Sequence, residues 1–550
     1  MMSGEKRFPI GREVSVSKSL STFRCLFVPL CFMASLALAQ SAGSLQAEEP
    51  IRIGRQKQLF LDNHLVHWTD KLQLKVNPVT KHPDNPLIRP ESDWEPNSYI
   101  MPGTVIYDAQ DRIYKLWCIG YGPSAMEDLK SNISGCYYFT SSDGIHWSRP
   151  ELDVAEAAGH KLNLVAPSDD GVSQHRLPHS STLMVVGKDL KEVDPARRYK
   201  MAYLYMIRNY DGPNQCRFHR GQLRALAAAF SPDGIHWTPY GDNPVSYAIV
   251  DGGGFWFQHP DTGRFNYYGR TKYHDPEFLA RYGADKQFQS YNWGRAVTRI
   301  TSDDFVRWTP EFGDLAIAVD AVDGPGDEIY SMAVFPYEGI YLGLVQMFHN
   351  YPERVWLEIQ LAVSRDGRHF QRLTDRSPFI PVGRVGEWDR FNTAIAGAPV
   401  RVGDDLIFYF SGRLAVHGGR YSGNDNGSGK GLRFRAGIGA GLVKLDRFAG
   451  LEATFDTGKV RTKSVVLDGG TLHLNANVRY GKLNIVVLDD KKRLPIEGLE
   501  AEVQEMDSTD IAMPLKGLEK LKDVPVRLEI SVTNGKLYSL WMSADGQVPK

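Results

Sequence analysis

The chain has 550 residues, of which 64 are Lys or Arg and 65 are Asp or Glu, so its formal net charge at pH 7 is −1. This length exceeds that of one typical compact domain, and the balanced charge provides no basic surface for binding nucleic acid or an anionic membrane. Aromatic residues make up 11% of the chain, and 52 Gly and 31 Pro accompany them, which is typical of a protein rich in strands and turns.

Residues 1–39 have the features of a secretory signal peptide. Basic residues precede an apolar run from Cys25 to Leu38, and Ala37-Leu38-Ala39 provides a small-residue cleavage site. An uncleaved anchor is the alternative, but the apolar run is short for a membrane span. We therefore expect an exported protein, periplasmic or extracellular, with no membrane span in the mature chain.

Five consecutive segments then share one pattern, in which an apolar strand, a turn, an aromatic-rich strand and a third strand follow one another. The predicted strands of the five segments are 104–107, 114–117 and 137–139; 182–186, 199–203 and 227–230; 255–257, 265–268 and 295–300; 332–335, 340–344 and 359–363; and 399–402, 406–410 and 434–442. We interpret residues 51–442 as a five-bladed β-propeller. Four blades is the alternative, if the first or fifth segment is a linker.

A short motif supports this interpretation because it recurs after the third strand at intervals of about 60 to 90 residues. Ser-x-Asp-Gly-x-x-Trp occurs in full at 141–147 and 231–237, and in altered form at 302–308 and 364–370. Ser and Asp side chains can accept hydrogen bonds from a tight turn, Gly tolerates positive φ, and the aromatic ring packs between sheets. We therefore expect the motif to be structural rather than catalytic.

The fifth segment lacks this motif and an outer strand. Residues 51–67, with Leu59-Phe60-Leu61, are predicted to supply that strand, which would close the ring and leave no broad sheet edge open.

From about Leu445 the pattern changes to short strands separated by turn signals such as Asp468-Gly469-Gly470 and Asn534-Gly535. Residues 443–550 are predicted to form a C-terminal β-sandwich, jelly-roll-like in topology. The fold class is therefore all-β.

A five-bladed ring with this motif at its blade ends, followed by a sandwich, resembles glycoside hydrolase families 32 and 43 over roughly residues 51–545. Sialidases carry a related motif, but theirs has one more residue between Asp and Gly and their ring has six blades. The resemblance implies a glycosidase that hydrolyses O-glycosyl bonds at the end of a glycan chain, with a furanoside as its substrate.

Residues just before each inner strand should converge at the central funnel of such a ring. These residues, with those at the ends of the second strands, are Glu95, Asn97, His175, His179, Asp251, Asp327, Glu328, Asp389, Asn392, Arg270, His349 and Arg413. Glycoside cleavage requires two carboxyl groups on opposite sides of the bond, and this set contains enough of them.

Similarity to family 43 implies that Glu328 is the general acid and that Asp251 orients it. Both families have an Asp at the start of blade one, where Met101-Pro102 stands in this chain. Glu95, Asp389 or Asp327 is then the candidate for the remaining carboxylate. The expected substrate-binding residues are Asp327, His179, Arg270, His349, Asn392 and Arg413.

Two other functions fit the same residues. The departure at Met101 favours a propeller that binds glycan without cleaving it, and a sialidase-like enzyme would need three funnel arginines, of which the sequence offers Arg270 and Arg413. We expect a carbohydrate ligand, no cofactor and no metal, since the loop 424–429 lacks the full spacing of a calcium site. The oligomeric state stays open.

Overall fold

The protein is described by a computed structural model that covers residues 49–121, 134–157, 159–167, 177, 179–214, 221–249, 251–273, 276–282, 294–350, 355–417 and 435–543. The predicted signal peptide lies outside these residues. The described part belongs to one compact unit, Pro50–Lys550, and consists mainly of strands. Its helical elements are short: Pro276–Tyr282, Pro195–Arg197 and Leu518–Leu521. No helix in these ranges has the length and apolar character needed to cross a membrane.

Five four-stranded antiparallel sheets form the propeller, which confirms the all-β class and the five blades. Their strands, in blade order, are Ser98–Asp108, Ile113–Tyr121, Gly135–Ser141 and Leu164–Pro167; Ser180–Lys188, Tyr199–Arg208, Gln222–Ser231 and Thr238–Pro239; Asp251–Gln258, Phe265–Lys272, Arg295–Ser302 and Thr309–Ile317; Asp327–Tyr337, Ile340–Asn350, Val355–Ser364 and Gln371–Arg372; and Asn392–Ile395 with Val400–Val402, Asp405–Arg413, Ala436–Lys444 and Thr80–Lys81.

The first strand of each blade is the inner one, because the first strands of blades 1 to 4 contact one another in turn and the first strand of blade 5 contacts that of blade 1. Parallel bridges from Leu357 to Asn392 and from Ala436 to Ser98 join blade 4 to blade 5 and blade 5 to blade 1. The starts of the inner strands therefore gather at one end of the ring, which we call the funnel end.

The prediction that residues 51–67 supply the outer strand of blade 5 is wrong. Thr80–Lys81 fills that place, paired with Leu442 and Gly441. The earlier segment instead joins the C-terminal sheet, and its apolar residues are buried there on two sides. Phe60 and Leu65 enter the core of that sheet, whereas Leu59 and Leu61 pack against blades 4 and 5. Its apolar pattern therefore fits either sheet.

The motif turns have one geometry in blades 1 to 4. The Ser hydroxyl accepts a hydrogen bond from the backbone N–H three residues on, at 2.8 Å from Gly144, 2.8 Å from Gly234, 2.9 Å from Phe305 and 3.0 Å from Gly367. The motif Asp accepts the next two N–H groups, as at Ile145 and His146. All four of these positions have φ between 65° and 82°, which explains the preference for Gly.

The aromatic residues that end the motif differ in burial. Trp308 and Phe370 are buried, whereas Trp147 and Trp237 are half-buried. Each ring belongs to, or packs against, an apolar cluster of the propeller. The motif is therefore structural, as expected.

The C-terminal strands and four N-terminal strands form a second sheet around an apolar core that includes Leu472, Leu483 and Ile530. Its eleven strands are Ile51–Ile53, Gln58–Leu59, Val66–Asp70, Gln73–Val76, Ala449–Ala453, Gly458–Thr462, Val465–Leu467, Thr471–Asp489, Pro495–Ala512, Pro525–Thr533 and Gly535–Ser543.

Asp446 links this sheet to blade 4. The carboxylate is fully buried; it accepts hydrogen bonds from the Tyr337 hydroxyl at 2.7 Å, Ser539 at 2.8 Å and Asn475 at 3.2 Å, and Lys57 lies 3.0 Å away. These contacts tie Asp446 to blade 4 through Tyr337, to the C-terminal sheet through Asn475 and Ser539, and to the N-terminal segment through Lys57. We call this group the Asp446 junction.

Candidate active site in the central funnel

A cavity of about 80 Å³ lies among the inner strands. Residues of blades 3, 4 and 5 provide its polar lining, which includes Arg270, Tyr330, Gln346, Asn392 and Arg413. Three of these, Arg270, Asn392 and Arg413, are substrate-binding candidates from the sequence.

Asp251 begins the inner strand of blade 3 and lies opposite Arg270 on the second strand. Its carboxylate accepts hydrogen bonds from Arg270 at 2.8 Å and from Arg224 at 2.9 Å. Arg270 also donates to the carbonyl of Tyr330 at 2.8 Å and lies 3.9 Å above the Tyr330 ring. The Asp251 side chain keeps 27% of its surface exposed, so a ligand can reach a carboxylate that two arginines hold in place.

A glycine is required beside this pair. Gly253 has φ +92°, and a Cβ at that position would lie 3.0 Å from a terminal nitrogen of Arg270. Gly253 therefore provides the space in which the guanidinium fits against the inner strand.

Glu328, in the inner strand of blade 4, is fully buried. Its carboxylate accepts a hydrogen bond from the side chain of Arg295, whose guanidinium lies 5.6 Å from the Tyr330 ring and 5.3 Å from the Phe348 ring. The guanidinium compensates the charge of the carboxylate. The residue predicted to donate a proton is thus ion-paired in this structure, close to the ring that Arg270 also covers.

Asp327 and His349, both expected to bind substrate, bind each other. The His349 Nδ1 lies 2.6 Å from Asp327, its Nε2 lies 3.2 Å from Glu358, and its ring stacks on Trp356 at 4.3 Å. Burial alone lowers the pKa of His349, but the contacts with Asp327 and Glu358 outweigh it and raise this pKa to about 9. His349 is therefore a cation at neutral pH, held between two carboxylates.

Arg413 and Asn392 retain unused polar atoms in the cavity. The Arg413 Nε is buried and has no hydrogen-bond acceptor among the described residues. The Asn392 Oδ1 is also buried, and no described residue donates a hydrogen bond to it. The Asn392 amide nitrogen donates to the carbonyl of Ala415 at 2.7 Å. Burial lowers the pKa of Arg413, and the nearby charge of Arg435 adds to this effect.

Glu95 and Asp389, expected as alternatives for the second carboxylate, lie elsewhere. The Glu95 carboxylate accepts hydrogen bonds from the backbone of Glu91 and Ser92 and from the side chains of Tyr99 and Arg149. All its lone pairs are thus used within the loop before blade 1 and its surroundings.

Asp389 is also bound away from the cavity, at 2.5 Å from Lys81 on the outer strand of blade 5. His179 starts the inner strand of blade 2 at φ 53°, with its ring 5.0 Å from that of Tyr205. His175 and the loop 424–429 lie outside the described residues.

The sequence analysis missed Arg224, Arg295 and Tyr330. Arg224 and Arg295 lie at the start of third strands, which are antiparallel to the second strands and therefore begin at the funnel end. A charged residue at the start of an apolar third strand could therefore have indicated that Arg224 and Arg295 lie at the funnel end. Tyr330 gave no such signal, since it lies within an inner strand among apolar residues.

A larger cavity, of about 1330 Å³, lies at the other end of the blades beside the Asp446 junction. It is lined by the blade 4 hairpin around Glu338 and by Trp541 of the C-terminal sheet. Burial raises the pKa of Glu338, whose carboxylate accepts the backbone N–H of Lys57 at 3.1 Å. The two cavities lie along the same inner strand of blade 4, Asp327–Tyr337: Tyr330 and Ser331 line the funnel cavity, and Phe335 to Tyr337 line the larger one.

In the described ranges, no group of three or more His, Cys, Asp and Glu side chains is arranged to hold a metal ion.

No protein-family model matches the sequence, and no curated protein matches it. Several solved structures are similar. A family 32 β-fructofuranosidase from Bombyx mori is 10% identical, and the match covers 87% of this chain and 95% of that enzyme's chain, with a TM-score of 0.37. An N-acetylgalactosamine deacetylase from F. plautii, solved with blood group B trisaccharide, is 15% identical and covers 68% and 96%, with a TM-score of 0.38.

An endo-1,4-β-xylanase from Bacteroides thetaiotaomicron is 13% identical and covers 64% of this chain and 92% of its own, with a TM-score of 0.38. The solved structures to which this chain is similar thus include an enzyme of family 32. At these identities the likeness concerns the fold.

Proposed function

We propose that this protein is a glycan-active hydrolase that cleaves a glycosidic bond in the funnel, with Asp251 and Glu328 as its two carboxylates. The observation that supports the proposal is that the arginines bound to these two carboxylates lie over the same aromatic ring. The two side chains come from the funnel ends of neighbouring blades, and the arginines that bind them, Arg270 and Arg295, both lie over the ring of Tyr330. Two carboxyl groups around one site are the requirement for glycoside hydrolysis.

Asp251 is assigned as the carboxylate that attacks the sugar or activates water. It is the exposed member of the pair, and two arginines fix its orientation. Glu328 is assigned as the proton donor. Because it is enclosed and bound to Arg295, this role requires that the substrate displaces Arg295 from it. Relative to the family 43 resemblance, Glu328 keeps its role and Asp251 changes from orienting the acid to attacking.

The finer parts of the proposal rest on the sequence resemblance to families 32 and 43. They are action at the end of a glycan chain, a furanoside as substrate, and export of the mature protein. A panel of aryl furanosides, aryl pyranosides and oligosaccharides tests the first two. N-terminal sequencing of secreted protein tests the third, and the sequence should start near Gln40 or, if cleavage follows Ala47, near Glu48.

The roles are tested by comparing substrates with good and poor leaving groups. Glu328→Gln should lower turnover of natural glycans about 10²–10⁴-fold, and much less on nitrophenyl glycosides, whose leaving group needs no proton. Asp251→Asn should lower turnover on both, because attack is lost. Glu529→Gln is the matched control, since Glu529 also binds an arginine, Arg461, but in the C-terminal sheet. Full activity of Glu328→Gln on natural glycans would contradict the assignment.

The second candidate function is glycan binding without cleavage. The complete burial of Glu328 and its contact with Arg295 favour it, as does Met101 at the position of the family Asp. Binding of glycans by a wild-type protein that cleaves none of the panel would support this second function. The sialidase-like alternative fits less well, because the ring has five blades.

A further inference from the structure

Arg413 differs from Arg224, Arg270 and Arg295, the three other arginines described above at the funnel end. Arg224 and Arg270 bind Asp251, and Arg295 binds Glu328. Arg413 ends the second strand of blade 5 and lines the cavity, yet no carboxylate among the described residues lies within ion-pair distance of it. Its Nε is enclosed and makes no hydrogen bond with the described chain.

Arg413 is partly buried, and an enclosed guanidinium nitrogen that lacks an acceptor costs stability, because it loses hydration that no partner replaces. The charge of Arg435, which is also positive, acts on Arg413 from nearby, and no described carboxylate lies within ion-pair distance of Arg413 to offset its charge. An arginine retained at such a position is explained when a ligand supplies the missing charge.

The surroundings of Arg413 indicate the chemistry of that ligand. The planar fork of a guanidinium matches a carboxylate or phosphate with two parallel hydrogen bonds. Asn392 adds an enclosed oxygen with no donor among the described residues, which is suited to accept a hydrogen bond from a sugar hydroxyl. A cavity of about 80 Å³ has room for a carboxylate-sized group.

We propose that Arg413 is the anion-binding residue of the funnel and that the ligand carries an oxyanion to it. The sugar that fills the funnel is then acidic, such as a uronic acid, and free phosphate is the other source of the same chemistry. This inference rests on the proposed function only in taking the funnel as the glycan site. Cleavage is not part of it.

The test is equilibrium binding by calorimetry and thermal shift, with the full-length protein. The probes are glucuronate and galacturonate, their neutral counterparts glucose and galactose, short oligomers of each, and inorganic phosphate. Wild type should bind the acidic sugars about tenfold or more tightly than the neutral ones, and this preference should weaken as salt is raised. Binding of phosphate, together with equal binding of the acidic and neutral sugars, would identify free phosphate as the source of the oxyanion.

Arg413→Met should abolish the preference for the anion. Arg413→Lys keeps the positive charge but loses the planar fork of the guanidinium, so it should retain part of the preference for the anion. This second variant still tests the proposal if Arg413→Met does not fold. Arg401→Met is the matched control, since Arg401 lies exposed at the other end of the same blade. Equal binding of acidic and neutral probes with no binding of phosphate, or an unchanged preference in both Arg413 variants, would overturn the proposal. Neither outcome depends on whether the protein cleaves glycans.

Discussion

The Asp446 junction and the Arg413 region of the funnel end differ in how completely their enclosed polar groups are paired. At the Asp446 junction, one buried carboxylate is surrounded by three hydrogen-bond donors and the ammonium of Lys57. At the funnel end, Arg413 and Asn392 keep enclosed polar atoms that the described residues do not satisfy. A fully paired group holds the structure together, whereas an incompletely paired one costs stability and is explained by a ligand.

The largest effect on stability is expected at the junction. Asp446→Asn removes the charge that Lys57 faces but tolerates the positive φ of 67° at this position. Because it breaks a buried ion pair, it should lower the free energy of unfolding by about 3–5 kcal/mol in urea denaturation. A loss below about 1 kcal/mol would mean that the junction does not depend on this charge.

The motif turns lie at the same end of the blades, so they should also affect stability. Trp308→Ala should cost about 3–5 kcal/mol, because the ring is buried. Trp237→Ala should cost less, since Trp237 is half-buried. Urea denaturation of the two variants side by side measures the difference, and equal losses would show that burial does not set the cost.

A paired cluster at the funnel end should behave like the junction. The pKa of His349 is raised to about 9 from its ordinary value of 6.5, so its stabilising contribution is complete below about pH 6.5 and is lost as the pH rises through about 9. The change corresponds to about 3 kcal/mol. The free energy of unfolding should fall across this range in wild type, and the fall should be smaller in His349→Gln. An identical pH profile in both proteins would contradict the cation at His349.

The smallest effect on stability is expected where pairing is missing. Arg413→Met should leave the free energy of unfolding within about 1 kcal/mol of wild type or raise it, because it replaces a guanidinium without a described counter-charge by an apolar side chain. Thermal denaturation checks this. A loss above about 3 kcal/mol would show that Arg413 stabilises the fold, as a paired residue does.

The sequence predicted the blades well, because each blade is a local pattern of strands marked by a turn motif. It misplaced residues 51–67, whose alternating apolar residues suit either neighbouring sheet. Within the candidate site, Asp251 and Glu328 lie at the funnel end, where strand register fixes them. Glu95 and Asp389 lie in loops whose path no register determines, so the sequence could not indicate the partners that they bind.

The central claim is that chemistry occurs at the funnel end and that the junction end is structural, and the same substitution at both ends tests it. The measurement is turnover per folded molecule for Asp251→Asn and Asp446→Asn, on the best glycan from the panel and at a temperature where both are folded. We expect Asp251→Asn to lose about 10²–10⁴-fold in turnover and Asp446→Asn to keep turnover close to wild type despite its lower stability. Full turnover in Asp251→Asn together with a loss in Asp446→Asn would contradict this account.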